Sequence, residues 1–190
     1  MKTAYQGLID RVDGLSARLS ARYAKHLACR SGCSACCFHH LSVFSVEGDS
    51  IREAIGGLSE AVRARIEAQA REVEAREARG QAVACPLLVD DACAIYGARP
   101  LICRTQGLPL LFEAEDGEAE VDFCPLNFTA PDALAELDEE YLVPLEEINL
   151  SLVLVNQAYC REKGIEPARF GERVTMSELI LSRFEGESIE

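Results

Sequence analysis

The sequence predicts a mainly α-helical domain with an irregular, cysteine-rich centre and one β-hairpin. Three observations predict it. Apolar residues recur at three- and four-residue steps in several stretches of the chain, the period of a helix with one buried face. All seven prolines fall at or after Pro86, so the helical pattern gives way in the middle. Eight of the nine cysteines lie between Cys29 and Cys124, across those irregular segments, where little apolar surface is on offer for burial.

The first helix is expected over residues 4–27, where Tyr5, Leu8, Ile9, Val12, Leu15, Leu19 and Tyr23 share one face, with Gly32 suited to ending it. The apolar run from Phe38 to Val46 predicts a short strand. Ser45 predicts the N-cap of the next helix, with Glu47 and Asp49 near the positive end of its dipole. Residues 48–79 predict two helices divided at Gly56-Gly57-Leu58-Ser59. The second has Val62, Ile66, Ala70 and Val73 along one face, the ion pairs Glu67–Arg71 and Glu72–Arg76 on the other, and Gly80 as its stop. Its charged side reads as a solvated surface. From Cys85 to Cys124 loops are expected, with a hairpin in LPLLFEAEDGEAEVDF turning at Asp116-Gly117. A final helix is expected from Pro144 to Lys163, apolar nearly all round at LSLVLV, with Gly164 beyond its end and a frayed acidic tail after Arg183. Residues 1–190 read as one domain, with a cysteine-rich core over 29–128 and a helical C-terminal part over 131–184.

Composition narrows the function classes. A chain that is 48% hydrophobic and 27% charged has the balance of a soluble globular protein. Its net charge of −13 argues against a nucleic-acid partner, whose phosphates call for a basic face. Asp10, Arg11 and Asp13 interrupt any signal-peptide core, and no run approaches the roughly 18 apolar residues of a membrane span. The expected location is the cytoplasm, with no membrane partner. Thiols stay reduced there, so nine cysteines read as metal ligands or redox groups before disulfides.

Their spacing favours metal. Cys33-Ser34-Ala35-Cys36 is a C-x-x-C, a spacing that lets two sulfurs converge on one ion. Cys29, Cys37, Cys85, Cys93, Cys103 and Cys124 supply further candidates, enough for two four-thiolate sites or one site with surplus thiols nearby. Cys160, on the apolar C-terminal helix away from the others in sequence, reads as a small buried hydrophobe. Cys29, Cys33 and Cys36 also have the spacing of radical S-adenosylmethionine enzymes. Ala35 stands where those enzymes place an aromatic, and the mainly helical pattern does not suit their barrel.

The wider pattern is more specific. CRSGCSACC, then CPLLVDDACAIYGARPLICR, then FCPLN resembles the YkgJ-like family of zinc- or iron-chelating domains, which is found also in flagellin lysine N-methylase. The match runs through Cys33, Cys36 and Cys37, Cys85 to Leu88, Cys93 to Tyr96, Arg99 to Arg104, and Cys124. Cys29 stands one residue further from its neighbour than the family pattern has it. The resemblance implies a zinc ion or an iron–sulfur cluster such as 4Fe–4S. By extension it implies iron–sulfur-dependent methyl transfer to a lysine of a protein substrate, with a metal-free thiol redox sensor as the contrasting reading.

Arg99 and Arg104 flank Cys103 and are expected to donate hydrogen bonds to sulfur or to offset thiolate charge. Tyr96 is a further candidate donor. His39 and His40 are placed beside the ligands rather than among them, given the surplus of cysteines, and Glu47 reads as a helix-start residue rather than a base. Phosphate-binding glycine loops, His-Glu-x-x-His and Gly-x-Ser-x-Gly are absent from the sequence, which names no catalytic residue. A direct expectation follows for the ninth cysteine. Cys160→Ser should keep wild-type metal content, whereas Cys33→Ser or Cys103→Ser should lower it. Elemental analysis of the purified variants decides this, and equal metal loss in Cys160→Ser would refute the assignment.

Overall fold

The computed structural model describes residues 2–30, 32–81, 83–114 and 117–186. Its α-helices are α1 (Lys2–Arg22), α2 (Ser45–Gly56), α3 (Glu60–Glu77), α4 (Leu101–Thr105), α5 (Leu145–Glu162) and α6 (Met176–Gly186). The strands are short: β1 (Ser42–Val43), β2 (Leu88–Val89), β3 (Ala92–Cys93), β4 (Leu110–Glu113), β5 (Ala119–Asp122), β6 (Val143–Pro144) and β7 (Val174–Thr175). The protein is mainly α. The chain sorts into two compact units, one of Met1–Arg30 with Leu101–Glu162 and one of Ser31–Pro100 with Lys163–Glu190.

In the first unit α1 packs on α4 and α5. The 3.6-residue period carries its Tyr5, Leu8, Ile9, Val12, Leu19 and Tyr23 into the interior. Tyr23 meets Phe128 edge-on at 5.3 Å between ring centroids, and its hydroxyl accepts the Asp138 N–H at 3.2 Å. The helix stops before the glycine expected to end it: a 3₁₀ turn at Ala24–His26 follows, and the His26 carbonyl accepts the Phe128 N–H at 2.8 Å. A long-range bond thus captures the chain ahead of Gly32. The expected hairpin forms as β4–β5, paired from Leu110↔Asp122 to Glu113↔Ala119, and β6 adds to β4 in parallel. Gly117 closes the turn at φ +83°, a conformation glycine adopts freely, while Asp116 lies outside the described residues.

One expectation for α5 needs correction. Leu152, Asn156, Tyr159 and Cys160 are buried, but Leu150 and Leu154 are 62% and 57% exposed. The five apolar residues of Leu150–Val155 wind through more than one and a half turns, so they cannot all face one core. Pro144 ends β6 rather than starting the helix, and Gly164 follows with φ +70°.

The second unit buries Ile51 and Ile55 of α2, Ile66 and Ala70 of α3, and Leu179 and Ile180 of α6 in one core. Gly48 lies close against α6, since a Cβ there would lie 3.0 Å from Leu179 Cδ1. Ser45 is the first helical residue of α2 rather than its cap. The capping is done backwards, by the buried Glu47 carboxylate, which accepts the Phe44 N–H at 3.2 Å. At α3 the Ser59 hydroxyl accepts the Val62 N–H, and the expected Glu67–Arg71 and Glu72–Arg76 pairs form at 2.6 and 2.8 Å. Gly80 ends the segment at φ +68°.

Helix α6 falls within the C-terminal part expected to be helical over 131–184, but beyond the last individual helix expected there, Pro144 to Lys163. Its signal is present as Thr175-x-x-Glu178 ahead of Leu179 and Ile180: the Thr175 hydroxyl accepts the Glu178 N–H at 3.2 Å, and the Glu178 carboxylate accepts the Thr175 N–H at 2.8 Å. Donation from the Thr175 N–H, and then from its hydroxyl at 2.8 Å, holds the Glu178 carboxyl below the usual carboxylate range. Of the acidic tail, residues 187–190 lie outside those described. Strands β1 and β7 pair antiparallel, as do β2 and β3. The β2–β3 turn is Asp90-Asp91, with φ of 51° and 59°, the two positive values a tight hairpin turn requires. Among the described residues no helix is long and apolar enough to cross a membrane.

The Glu47 cap is testable. Glu47→Ala should lower unfolding free energy by about 1–2 kcal/mol, the usual cost of an orphaned helix-start N–H, and Glu47→Gln should lose less because it keeps an acceptor. Urea unfolding measures both, and a Glu47→Ala protein as stable as wild type would refute the role.

Candidate metal centre

In the second unit, Gly32 at φ +84° leads into the loop that carries Cys33 and the 3₁₀ turn Ala35–Phe38. The Cys37 N–H donates to the Ser34 carbonyl at 2.9 Å, which closes the turn. Cys36 and Cys37 are thereby fixed on successive residues, and their thiols hydrogen-bond to each other. The Cys37 carbonyl accepts the Cys85 N–H at 2.6 Å, so the two cysteine segments are tied through backbone. Buried Leu87 anchors the chain just beyond Cys85, and the β2–β3 turn returns it so that Cys93 pairs with Leu88. Cys36, Cys37, Cys85 and Cys93 are all half-buried.

The electrostatics of these thiols follow from that setting. The hydrogen bond with Cys37 and then burial push the Cys36 thiol far above its ordinary value. Burial pushes Cys85 up to about 11, with the neighbouring Cys93 adding to the rise. Burial raises Cys93 as well, while the positive charge of Arg99 opposes the rise at both Cys93 and Cys36. Arg99 lies with its guanidinium 3.6 Å from the centroid of the exposed Tyr96 ring and donates from Nε to the Tyr96 carbonyl at 3.1 Å. His40 pairs with Glu77 at 2.6 Å. His39, His40, Glu77 and Cys85 line a cleft of about 20 Å³, room for a water-sized group.

In the first unit the sequence reading missed two residues that organise the thiols. Asn127, 2% exposed, accepts the Ala28 N–H through Oδ1 at 2.7 Å and donates from Nδ2 to the Gly107 carbonyl at 2.7 Å. Cys29 Sγ lies 3.6 Å from the same Nδ2. Gly107 has φ +91°, and a Cβ there would sit 3.2 Å from Cys29 Sγ and 3.6 Å from Cys124 Cβ. Cys29 and Cys124 therefore border the same small volume above Gly107. The only trace in the sequence is that Asn127 ends the FCPLN segment.

Cys103 is half-buried on α4. Its neighbour Arg104 is buried, pairs with Asp13 of α1 at 2.6 Å, and offers its carbonyl to the Ser16 hydroxyl at 3.0 Å. That fastens the cysteine-bearing turn to the first helix. Cys160 is fully buried, with its thiol 3.8 Å from Asn156 Oδ1 one helical turn back.

All nine cysteines are free thiols, and the eight candidate ligands are exposed or half-buried. Among the described residues, no three Cys, His, Asp or Glu side chains already converge on one ion position. What fits a metal is the chemistry of the donors: soft sulfur in adjacent pairs, as zinc and iron–sulfur clusters take it.

No curated protein and no solved structure matches the chain. A family profile does, over residues 28–125, spanning every cysteine but Cys160. On that match and the thiol pattern it covers, the chain belongs to the CxxCxxCC family, described as a "putative zinc- or iron-chelating domain".

Proposed function

We propose that this is a cytoplasmic metal-binding protein whose cysteines hold zinc or an iron–sulfur cluster. The observation that carries the reading is the second unit's thiol set, in which the Cys85 N–H bonds the Cys37 carbonyl and Arg99 acts on both Cys36 and Cys93. Thiolates crowded in this way repel one another until a cation offsets their charge. The donors named for that role are Cys29, Cys33, Cys36, Cys37, Cys85, Cys93, Cys103 and Cys124. Arg99 stands close enough to temper the charge of the sulfurs.

The raised Cys36, Cys85 and Cys93 thiols weigh against a redox-sensor role for those three, because a reactive cysteine needs a depressed pKa. Methyl transfer to a protein lysine rests on the family resemblance alone, and specific binding of S-adenosylmethionine is its test. Surplus thiols and Arg99 favour a cluster tuned by hydrogen bonds to sulfur. We therefore expect iron with acid-labile sulfide in protein prepared without oxygen, and zinc in its place after aerobic overexpression. A colourless anaerobic sample with stoichiometric zinc and no sulfide would overturn the iron reading and the methyl-transfer reading with it.

Proton linkage gives a second test. Burial leaves Cys85 protonated at neutral pH, with its thiol near 11, so a metal that takes this sulfur must displace the proton. Uptake should release protons, and the apparent affinity should rise as pH rises from about 6 to 8. Ordinary carboxylates are ionised throughout that range. PH-independent uptake, measured by competition against a chelator, would place the metal on the 32 acidic residues instead of the thiols.

A further inference from the structure

We infer that Asn127 is a positioning residue of the metal centre, its side-chain N–H donating to the Cys29 sulfur when that sulfur is a metal-bound thiolate. The inference rests on the metal-binding reading above. Two neighbours fix the orientation of the amide. The Ala28 N–H faces it at 2.7 Å and requires an acceptor, which puts the oxygen on that side. The Gly107 carbonyl faces it at 2.7 Å and requires a donor, which puts the nitrogen on the other. An amide nitrogen carries two hydrogens. One goes to Gly107, and Cys29 Sγ lies 3.6 Å from the nitrogen that carries the second.

The same sulfur is 4.0 Å from the amide oxygen. The side chain thus presents an acceptor to a protonated thiol and a nearer donor to a thiolate. A neutral N–H spreads the charge of a thiolate without bringing a positive group into the site. Asn127 is buried, so its amide is shielded from water although Cys29 itself is exposed. Gly107 holds the arrangement from beneath, because a Cβ there would sit 3.2 Å from the sulfur and 3.3 Å from the amide nitrogen. The surrounding chain is held by separate backbone bonds, Asn127 N–H to the Cys124 carbonyl and Phe128 N–H to the His26 carbonyl, both 2.8 Å. Changing the side chain alters its own bonds to Ala28 and Gly107 but not these backbone bonds, so the coupling in the wild-type chain decides the test ahead of affinity.

The test uses the full chain loaded with NMR-active cadmium. In wild type, scalar coupling across the N–H···S bond should connect cadmium to a side-chain amide hydrogen assigned to Asn127. Asn127→Asp keeps an oxygen for Ala28 but turns an acceptor toward Gly107 and Cys29. It should lose the coupling and bind cadmium about 10–100-fold more weakly, the usual effect of removing a residue that orients a ligand. Wild-type chain that binds cadmium without coupling to the Asn127 amide overturns the inference, whatever the variant does. So does an Asn127→Asp protein that binds cadmium as tightly as wild type. Wild-type chain that takes up no cadmium overturns the metal-binding reading and this inference together.

Discussion

The Asn127 amide bonds Ala28 on one side and Gly107 on the other, and the cysteine-bearing loops of the first unit depend on that pair of bonds. These loops have no helix or strand to absorb their backbone groups. Leaving one such group buried and unpaired costs about 1–3 kcal/mol. A single side chain with both a donor and an acceptor answers two of them at once. Its grip brings the segment after α1 up against the backbone at Gly107, where a Cβ would crowd the Cys29 sulfur at 3.2 Å. The second unit ties its two cysteine segments through main chain, from the Cys85 N–H to the Cys37 carbonyl.

The helices serve these loops by ending where they do. Arg104 pairs with Asp13, which pins the turn carrying Cys103 to α1. Glu47 and Glu178 start α2 and α6 by accepting the N–H three residues back, from Phe44 and Thr175, so the chain enters each helix in a fixed direction. Each unit has its own apolar core, built around Tyr23 and Phe128 in one and around Ile51, Ile66 and Ile180 in the other. Cys85 and Cys93 stand at the margin of the second core, half-buried, where desolvation raises both thiols above their ordinary value.

That balance connects composition to chemistry. A chain with a net charge of −13 gains nothing from further uncompensated thiolates. Sulfur donors in pairs with one guanidinium nearby are suited to a cation that supplies the missing positive charge. Family membership points the same way, toward zinc or iron chelation. The choice between the two metals turns on what surrounds the sulfurs, since both accept four thiolates.

Much of this was legible in the residues themselves. The buried faces of α1 and α3, the break at Gly56–Ser59, the β4–β5 hairpin and the isolation of Cys160 follow from local periodicity and turn chemistry, which a sequence carries explicitly. The donor chemistry follows from cysteine spacing. Helix α6 was equally legible in Thr175-x-x-Glu178, though its apolar run is short and is followed by an acidic stretch that reads as a tail. The tertiary structure alone decided that α1 stops before Gly32, that only one face of α5 is buried, and that Cys29 lies beside Cys124 above Gly107. Each of those outcomes depends on a bond or a contact between residues far apart in the chain, such as Phe128 to His26 or Asn127 to Ala28. Spacing along a sequence states which groups are available; which ones meet is set by how loops close, and loop closure is a non-local property.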